Sequence, residues 1–209
     1  MKFDPEKHRR RSIRLQDYDY AQEGAYFVTI CTQSKECFFG GIADGQIRLN
    51  PVGKMVETVW VELSKRFPFV ELDEFIVMPN HFHGILVLTD KADCRGESCI
   101  RPAVGGGGSN QGEHKVRPYG TLKGTVGRIV QAFKSISTHE YKIGVEKQHW
   151  NPFPERLWQR NYFEHVIRSE KSLNKIREYI AANPSQWETD PENPSVQASS
   201  AALEKSLLL

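Results

Sequence analysis

His81 and His83 stand two residues apart in the run HFHGILVL. In a strand, alternate side chains leave the same face, so both imidazoles can aim at one ion while Phe82 turns to the other face and into packing. Neutral imidazole is a good ligand for zinc, manganese and other divalent ions. Two hydrogen-bonded structural histidines would give the same pattern, and both readings stand at this point. Later in the chain Tyr179 and Asn183 are four residues apart, one helical turn along the same side. They border the apolar stripe Leu173, Ile176 and Ile180, so a phenol and an amide oxygen project together from the seam between that helix and its support. The plain alternatives are a boundary aromatic and a helix C-cap.

The elements that must carry these residues are legible in outline. AYFVTICTQ after Gly24 is rich in β-branched and aromatic residues and predicts a strand, and GQIRLN predicts a second, shorter one. Asn50-Pro51 predicts a helix start, with Asn as cap and Pro at the first helical position. Val52, Val56, Val59, Trp60 and Leu63 then share a face, and the helix ends near Arg66. EFIVM and HFHGILVL, split by Pro79-Asn80, predict an antiparallel hairpin in the centre of a sheet. Residues 90–120 hold four consecutive glycines, Gly105 to Gly108, and few large apolar groups, which predicts a flexible excursion.

Thr121 is the expected cap of a long helix whose stripe runs Leu122, Val126, Ile129, Val130, Phe133 and Ile136, with Gly144 ending it. RLWQRNYFEHVI predicts a strand. A last helix opens near Ser169 and finishes at Asn183, because Pro184 disfavours helical geometry in the residue before it. Helices against a mainly antiparallel sheet make an α+β domain, a two-layer sandwich. The expected division is a basic arm over 1–22, a domain over 23–187 and an acidic, disordered tail over 188–209.

Composition excludes several classes. The 209-residue chain has no apolar run long enough to cross a membrane. Its start, MKFDPEKHRRRSIRL, lacks the apolar core of a secretory signal, which points to the cytosol. There Cys31, Cys37, Cys94 and Cys99 are expected to be reduced, and no second Cys or His pair follows Cys94 and Cys99 at zinc-finger spacing. The net charge of +2 is unevenly spread: residues 1–14 carry six basic side chains against two acidic ones, and residues 188–209 carry four acidic against one basic. A basic arm on a mildly basic body fits contact with phosphates, as it also fits a solvated terminus.

Taken in order, the strand, Pro-Asn-His-Phe-His, the long helix, Leu-Trp-Gln-Arg-Asn-Tyr-Phe-Glu-His and Tyr-x-x-x-Asn-Pro resemble the single-tyrosine HUH (His-hydrophobe-His) transposases, and within them the REP-associated tyrosine transposases. The resemblance runs from about Gly24 to Trp187. It implies a ferredoxin-like fold with His81 and His83 on a central strand, Tyr179 as the nucleophile and Asn183 completing the metal site. Relatives often have Gln at that last place. The implied activity is a single-strand DNA endonuclease and strand transferase, cutting at or near hairpins through a 5′-phosphotyrosine. The implied partner is hairpin-forming single-stranded DNA, bound by a monomer or homodimer in the cytoplasm and, through DNA, at the nucleoid.

The chemistry agrees with that assignment. A divalent ion on a phosphodiester oxygen neutralises it and stabilises transition-state charge. A free tyrosine, with a pKa of about 10, attacks poorly at neutral pH without a nearby cation or base. Two histidines and an amide bring no charge, which favours Mg²⁺ or Mn²⁺ with waters over a closed zinc site. Trp158 and Phe163 are expected in the core. Arg9, Arg10, Arg11, Lys123, Arg128, Lys134 and Arg160 are candidate DNA contacts, and Glu164 and His165 candidate outer-shell partners of the ion. Three alternatives remain: a domesticated hairpin-binding protein without transposition, a metal-dependent nucleic-acid hydrolase using water, and a structural domain.

Overall fold

A computed structural model describes residues 18–89 and 124–196. Outside them lie most of the basic arm with Arg9, Arg10 and Arg11, the whole 90–120 excursion with Cys94 and Cys99, and Thr121, Leu122 and Lys123. Residues 197–209 also fall outside.

Among the described residues six strands and four helices follow in the order β1 (Gly24–Cys31), β2 (Gly40–Ala43), β3 (Gln46–Leu49), α1 (Pro51–Val61), α2 (Leu63–Arg66), β4 (Val70–Val77), β5 (His81–Leu88), α3 (Val126–Gln148), β6 (Phe163–Ile167) and α4 (Glu170–Ala182). The main sheet runs β4-β5-β1-β6 with every neighbour antiparallel, and β2-β3 is a separate hairpin. β1 and β4 therefore run parallel with β5 between them, the split βαβ arrangement of a ferredoxin-like sheet. Of the β4–β5 hairpin only β5 is central; β4 is an edge strand.

Pleating divides the side chains between two cores. On one face Tyr26, Val28, Ile30, Phe82, Leu86 and Leu88 meet Val56, Val59 and Trp60 of α1 and Ile129, Val130 and Phe133 of α3. α1 and α3 give the expected helix-on-sheet packing, to which α4 adds a third layer on the other face; Phe82 sits in the α1/α3 core as the alternation requires, its ring 4.4 Å from Trp60 and 5.1 Å from Phe133. Truncating such a buried aromatic to alanine costs about 3–5 kcal/mol. Gly84 is part of this packing: a Cβ there would lie 2.6 Å from the Trp60 ring, so α1 can approach β5 only over a glycine. The opposite face carries Phe27, Ile85 and Ile167, and α4 covers it with Ile180, Leu173 and Ile176.

Local signals explain most element ends. Asn50 caps α1 by accepting from the Gly53 N–H at 2.9 Å, and Ser169 caps α4 by accepting from the Ser172 N–H at 3.2 Å. α3 starts later than expected, because Thr125 is its cap and accepts from the Arg128 N–H at 3.2 Å. Gly144 does not end it. The helix runs on to Gln148 and closes on left-handed His149. The glycine instead makes room for Trp150, whose ring would lie 2.1 Å from a Cβ.

β2 is a further short strand, and the Gly40-Gly41 pair that opens it is of a type that ordinarily marks a turn. The predicted RLWQRNYFEHVI strand is regular only over Phe163–Ile167; before it Trp158 makes an isolated bridge to Thr32 and is buried in the core.

The tail begins differently from the expectation. Asn183 keeps helical angles (φ −56°, ψ −41°) despite the following proline, and a 3-10 turn continues over Asn183–Thr189. Residues 188–196 then pack back, with Asp190 and Asn193 buried. Among the described residues no helix is long and apolar enough to cross a membrane.

Candidate active site

β5 sets the two histidines. His81 and His83 point to the α4 face with ring centroids 4.6 Å apart, and both are buried. Each ring is held through Nδ1. Asn80 donates from Nδ2 to the carbonyls of Lys35 at 2.9 Å and Glu192 at 2.7 Å. Its Oδ1 is therefore the acceptor that faces His81 Nδ1 at 2.9 Å. That assigns the proton to Nδ1 and leaves the lone pair of His81 on Nε2. His83 Nδ1 lies 2.8 Å from Thr29 Oγ1, its cross-strand neighbour on β1, and Phe27 stacks on the ring with centroids 5.4 Å apart. Neither Asn80 nor Thr29 was singled out in the sequence; the one available signal was Asn80's place beside the histidines.

α4 supplies the other half. Tyr179 Oη is 3.4 Å from His83 Nε2, and its ring is 44% exposed, so the hydroxyl borders the histidines while one side of the residue faces solvent. Asn183 is buried one turn on, and its Oδ1 has no hydrogen-bond partner; neither has His81 Nε2. A bidentate pair, Arg177 Nε to Asp73 Oδ1 at 2.8 Å and Arg177 Nη2 to Asp73 Oδ2 at 2.5 Å, fastens α4 to β4.

Electrostatics keep it neutral. Burial holds His83 well below the ordinary histidine range, helped by the neighbouring His81. Burial also lowers His81, against the opposing pull of Asp190 and Glu192. Both therefore present uncharged imidazole at neutral pH, the form that binds metals. Burial raises the Tyr179 hydroxyl, the negative charge of Asp190 adds to this, and Asn183 opposes it. Unaided, this phenol is a weaker acid than free tyrosine.

The unpartnered His81 Nε2 and Asn183 Oδ1, with the neutral ring of His83 beside them, are what a divalent cation would satisfy. The donor set of His81, His83 and Asn183 thus fits Mg²⁺ or Mn²⁺ with waters. Among the described residues no three His, Cys, Asp or Glu side chains converge by themselves as a ready-made cation site.

The remaining candidates separate. Glu164 sits opposite Val28, whose side chain lies in the α1/α3 core, so Glu164 is on the far face of the sheet and is no outer-shell partner of His81 or His83. His165 shares the site face but sits exposed on the edge strand beside Phe27. Phe163 is not a core residue; it is 48% exposed beside Thr29 on the site face.

Lys134 is committed elsewhere. Its Nζ donates to the carbonyls of Gln159 at 2.9 Å and Asn161 at 2.8 Å, lies over the Tyr162 ring, and is pushed down to about 8 by burial. It ties α3 to the segment before β6 and is not a free DNA contact. Arg128 is exposed on α3, behind the sheet as seen from Tyr179, and Arg160 is exposed on a cleft wall with Lys142 and Arg156. Cys31 and Cys37 are free thiols, and burial together with Glu192 pushes Cys31 up to about 12, which disfavours its thiolate.

Sheet order and site define an α+β protein with a histidine pair on a central strand and a tyrosine helix across it. The fold is that of a solved REP-associated tyrosine transposase bound to a REP hairpin. That structure is matched with a TM-score of 0.51 and 16% identity over 83% of this chain and 74% of the other. No protein-family profile matches the chain. It belongs to the same family as an uncharacterized protein of Haemophilus influenzae (strain ATCC 51907 / DSM 11121 / KW20 / Rd), with which it is 40% identical over 191 residues, 90% of this chain and 96% of the relative.

Proposed function

We propose that the chain is a single-strand DNA endonuclease and strand transferase of transposase type, cutting at or near hairpins through a 5′-phosphotyrosine. The observation that carries this is the approach of Tyr179 Oη to 3.4 Å from His83 Nε2, beside His81 Nε2 and Asn183 Oδ1, two buried atoms with no hydrogen-bond partner. The fold shared with the REP-associated transposase supports the same reading, and hairpin DNA is the partner it suggests.

In this reading His81, His83 and Asn183 hold Mg²⁺ or Mn²⁺, which when bound neutralises the scissile phosphate and favours phenolate over phenol. Asn80 fixes the tautomer of His81, and Thr29 holds the ring of His83. Phe27 and His83 brace the Tyr179 ring from one side, with Phe27 edge-on at 6.1 Å. Tyr179 loses its proton to solvent water and its oxygen bonds to phosphorus, while the bond to the 3′ oxygen breaks and that oxygen takes up a proton from water to leave as a 3′-OH. Attack of a 3′-OH on the phosphotyrosine reverses the step without ATP, which is how one domain both cuts and joins. Phe163 and Tyr179, both partly exposed on the site face, offer stacking surfaces for unpaired bases. The chain would act as a monomer or a homodimer. The protein would act in the cytoplasm, on the nucleoid.

The test is incubation of the full chain with single-stranded hairpin DNA and Mn²⁺, then denaturing electrophoresis. A protein–DNA species that survives denaturation supports the reading, with little cleavage of perfect duplex. Cleavage without any adduct would instead favour a hydrolase using water, and tight hairpin binding without cleavage a domesticated binding protein.

A further inference from the structure

The chain after α4 returns to the histidines. Past the 3-10 turn, Asp190 is buried and its Oδ2 faces His81 Nε2 at 3.9 Å. The rest of this strap is fixed from several sides. Asp190 Oδ1 accepts the Glu192 N–H at 2.7 Å, an Asx turn that uses one carboxylate oxygen and leaves the other toward the site. The Glu192 carbonyl accepts from Asn80, the residue that also holds His81. Lys35 Nζ donates to the Pro191 carbonyl at 3.1 Å and pairs with the Glu192 carboxylate at 3.1 Å. Asn193 donates to the Trp187 carbonyl at 2.8 Å, closing the loop on itself.

So much anchoring places a single carboxylate oxygen beside a histidine nitrogen that has no hydrogen-bond partner. The separation is too long for a hydrogen bond. It is also within the spacing of two ligands on one octahedral cation, which at bond lengths of about 2.1 Å stand roughly 3 to 4.2 Å apart.

Resting on the metal-site reading above, we propose that Asp190 is a further ligand of the divalent ion, delivered by the C-terminal strap; His81, His83 and Asp190 do not converge by themselves, and the bound ion would draw them together. The two imidazoles and the amide carry no charge. A carboxylate makes the site anionic and supplies the hard oxygen that Mg²⁺ and Mn²⁺ prefer. The strap thereby becomes part of the site, and the domain extends to at least Asn193.

The experiment is a Mn²⁺ titration of the full-length protein without DNA, following free Mn²⁺ by its electron paramagnetic resonance signal. Asp190→Asn keeps the Oδ1 acceptor of the Asx turn and removes only the charge. It is expected to weaken Mn²⁺ binding at least tenfold, with the metal-free melting temperature unchanged. Glu192→Gln is the control: it removes the same charge from the same strap at a carboxylate already held by Lys35, and should change affinity by less than about threefold. Wild-type affinity in Asp190→Asn, or an equal loss in both variants, overturns the proposal while the histidine site stands. Absence of Mn²⁺ binding by the wild type, at any concentration short of non-specific, overturns both.

Discussion

Asn80 accepts a hydrogen bond from His81 at 2.9 Å while donating to the carbonyls of Lys35 and Glu192, so one buried amide fixes both a ring tautomer and the strap beneath it. Outer-shell partners of metal-binding histidines typically account for about 10–100-fold in affinity or activity. Asn80→Ala should therefore lose DNA cleavage by roughly that factor, and it should also lower stability by about 1–3 kcal/mol through the carbonyls left unpaired. Thr29→Val, which removes only the partner of His83, should lose activity within the same range and stay folded. Cleavage rates across a Mn²⁺ series check this: part of the loss should be recovered at high Mn²⁺, and wild-type rates in both variants would refute the role.

Tyr179→Phe removes one oxygen and keeps the ring that packs on Phe27 and His83. The fold, the Mn²⁺ affinity and hairpin binding should persist. The covalent protein–DNA species should vanish, although slow hydrolysis by water can remain. Tyr162, packed against the α1/α3 core beneath Lys134, is the control, and Tyr162→Phe should keep the adduct. The opposite result would move the nucleophile off α4.

His81→Ala and His83→Ala should abolish cleavage and leave hairpin binding largely intact, because DNA contacts are spread over other residues. Asn183→Ala should be milder, since a water can replace one amide oxygen. A gel-shift and a cleavage assay on the same samples separate the two effects. Full cleavage by His83→Ala in chelated buffer would contradict the metal site.

Asp73 gives the acid limb of stability. Hydrogen bonds from Arg177 hold its carboxyl below the usual aspartate value, outweighing the burial that acts in the other direction. A group with a depressed folded pKa contributes stability that is full above its unfolded pKa, about 4, and is lost as pH falls through the lower folded value. Wild-type stability should therefore drop below about pH 4, and Asp73→Asn should flatten that part of the drop. Denaturant midpoints between pH 3 and pH 7 read the difference. Because the pair ties α4 to β4, Asp73→Asn should also slow adduct formation by Tyr179.

Gly144 tests the packing of α3 apart from the site. Alanine there would collide with the Trp150 ring, so Gly144→Ala should cost about 1–3 kcal/mol in chemical denaturation, the range for overpacking. It should do so despite alanine's better helix propensity, and the folded fraction should cleave at the wild-type rate.

Residues whose role follows from local periodicity were legible in the chain alone. The alternation at 81–83 put both histidines on one face and Phe82 in the core, and the spacing at 179 and 183 put phenol and amide on one side of a helix. The caps Asn50 and Ser169 were equally local. Roles that depend on what lies opposite were not legible. Glu164 falls behind the sheet because of its register with Val28, and Lys134 spends its charge on two carbonyls more than 20 residues away. Gly144 reads as a helix stop until Trp150 is seen to need its space.

Asp190 is the clearest instance. In sequence it is one of several acidic residues after the last helix. It reaches His81 because the chain continues helically through Asn183 despite Pro184 and folds back onto Lys35 and Asn80. Pattern fixes which face of an element a side chain leaves, but only the packing of distant segments decides what that face meets.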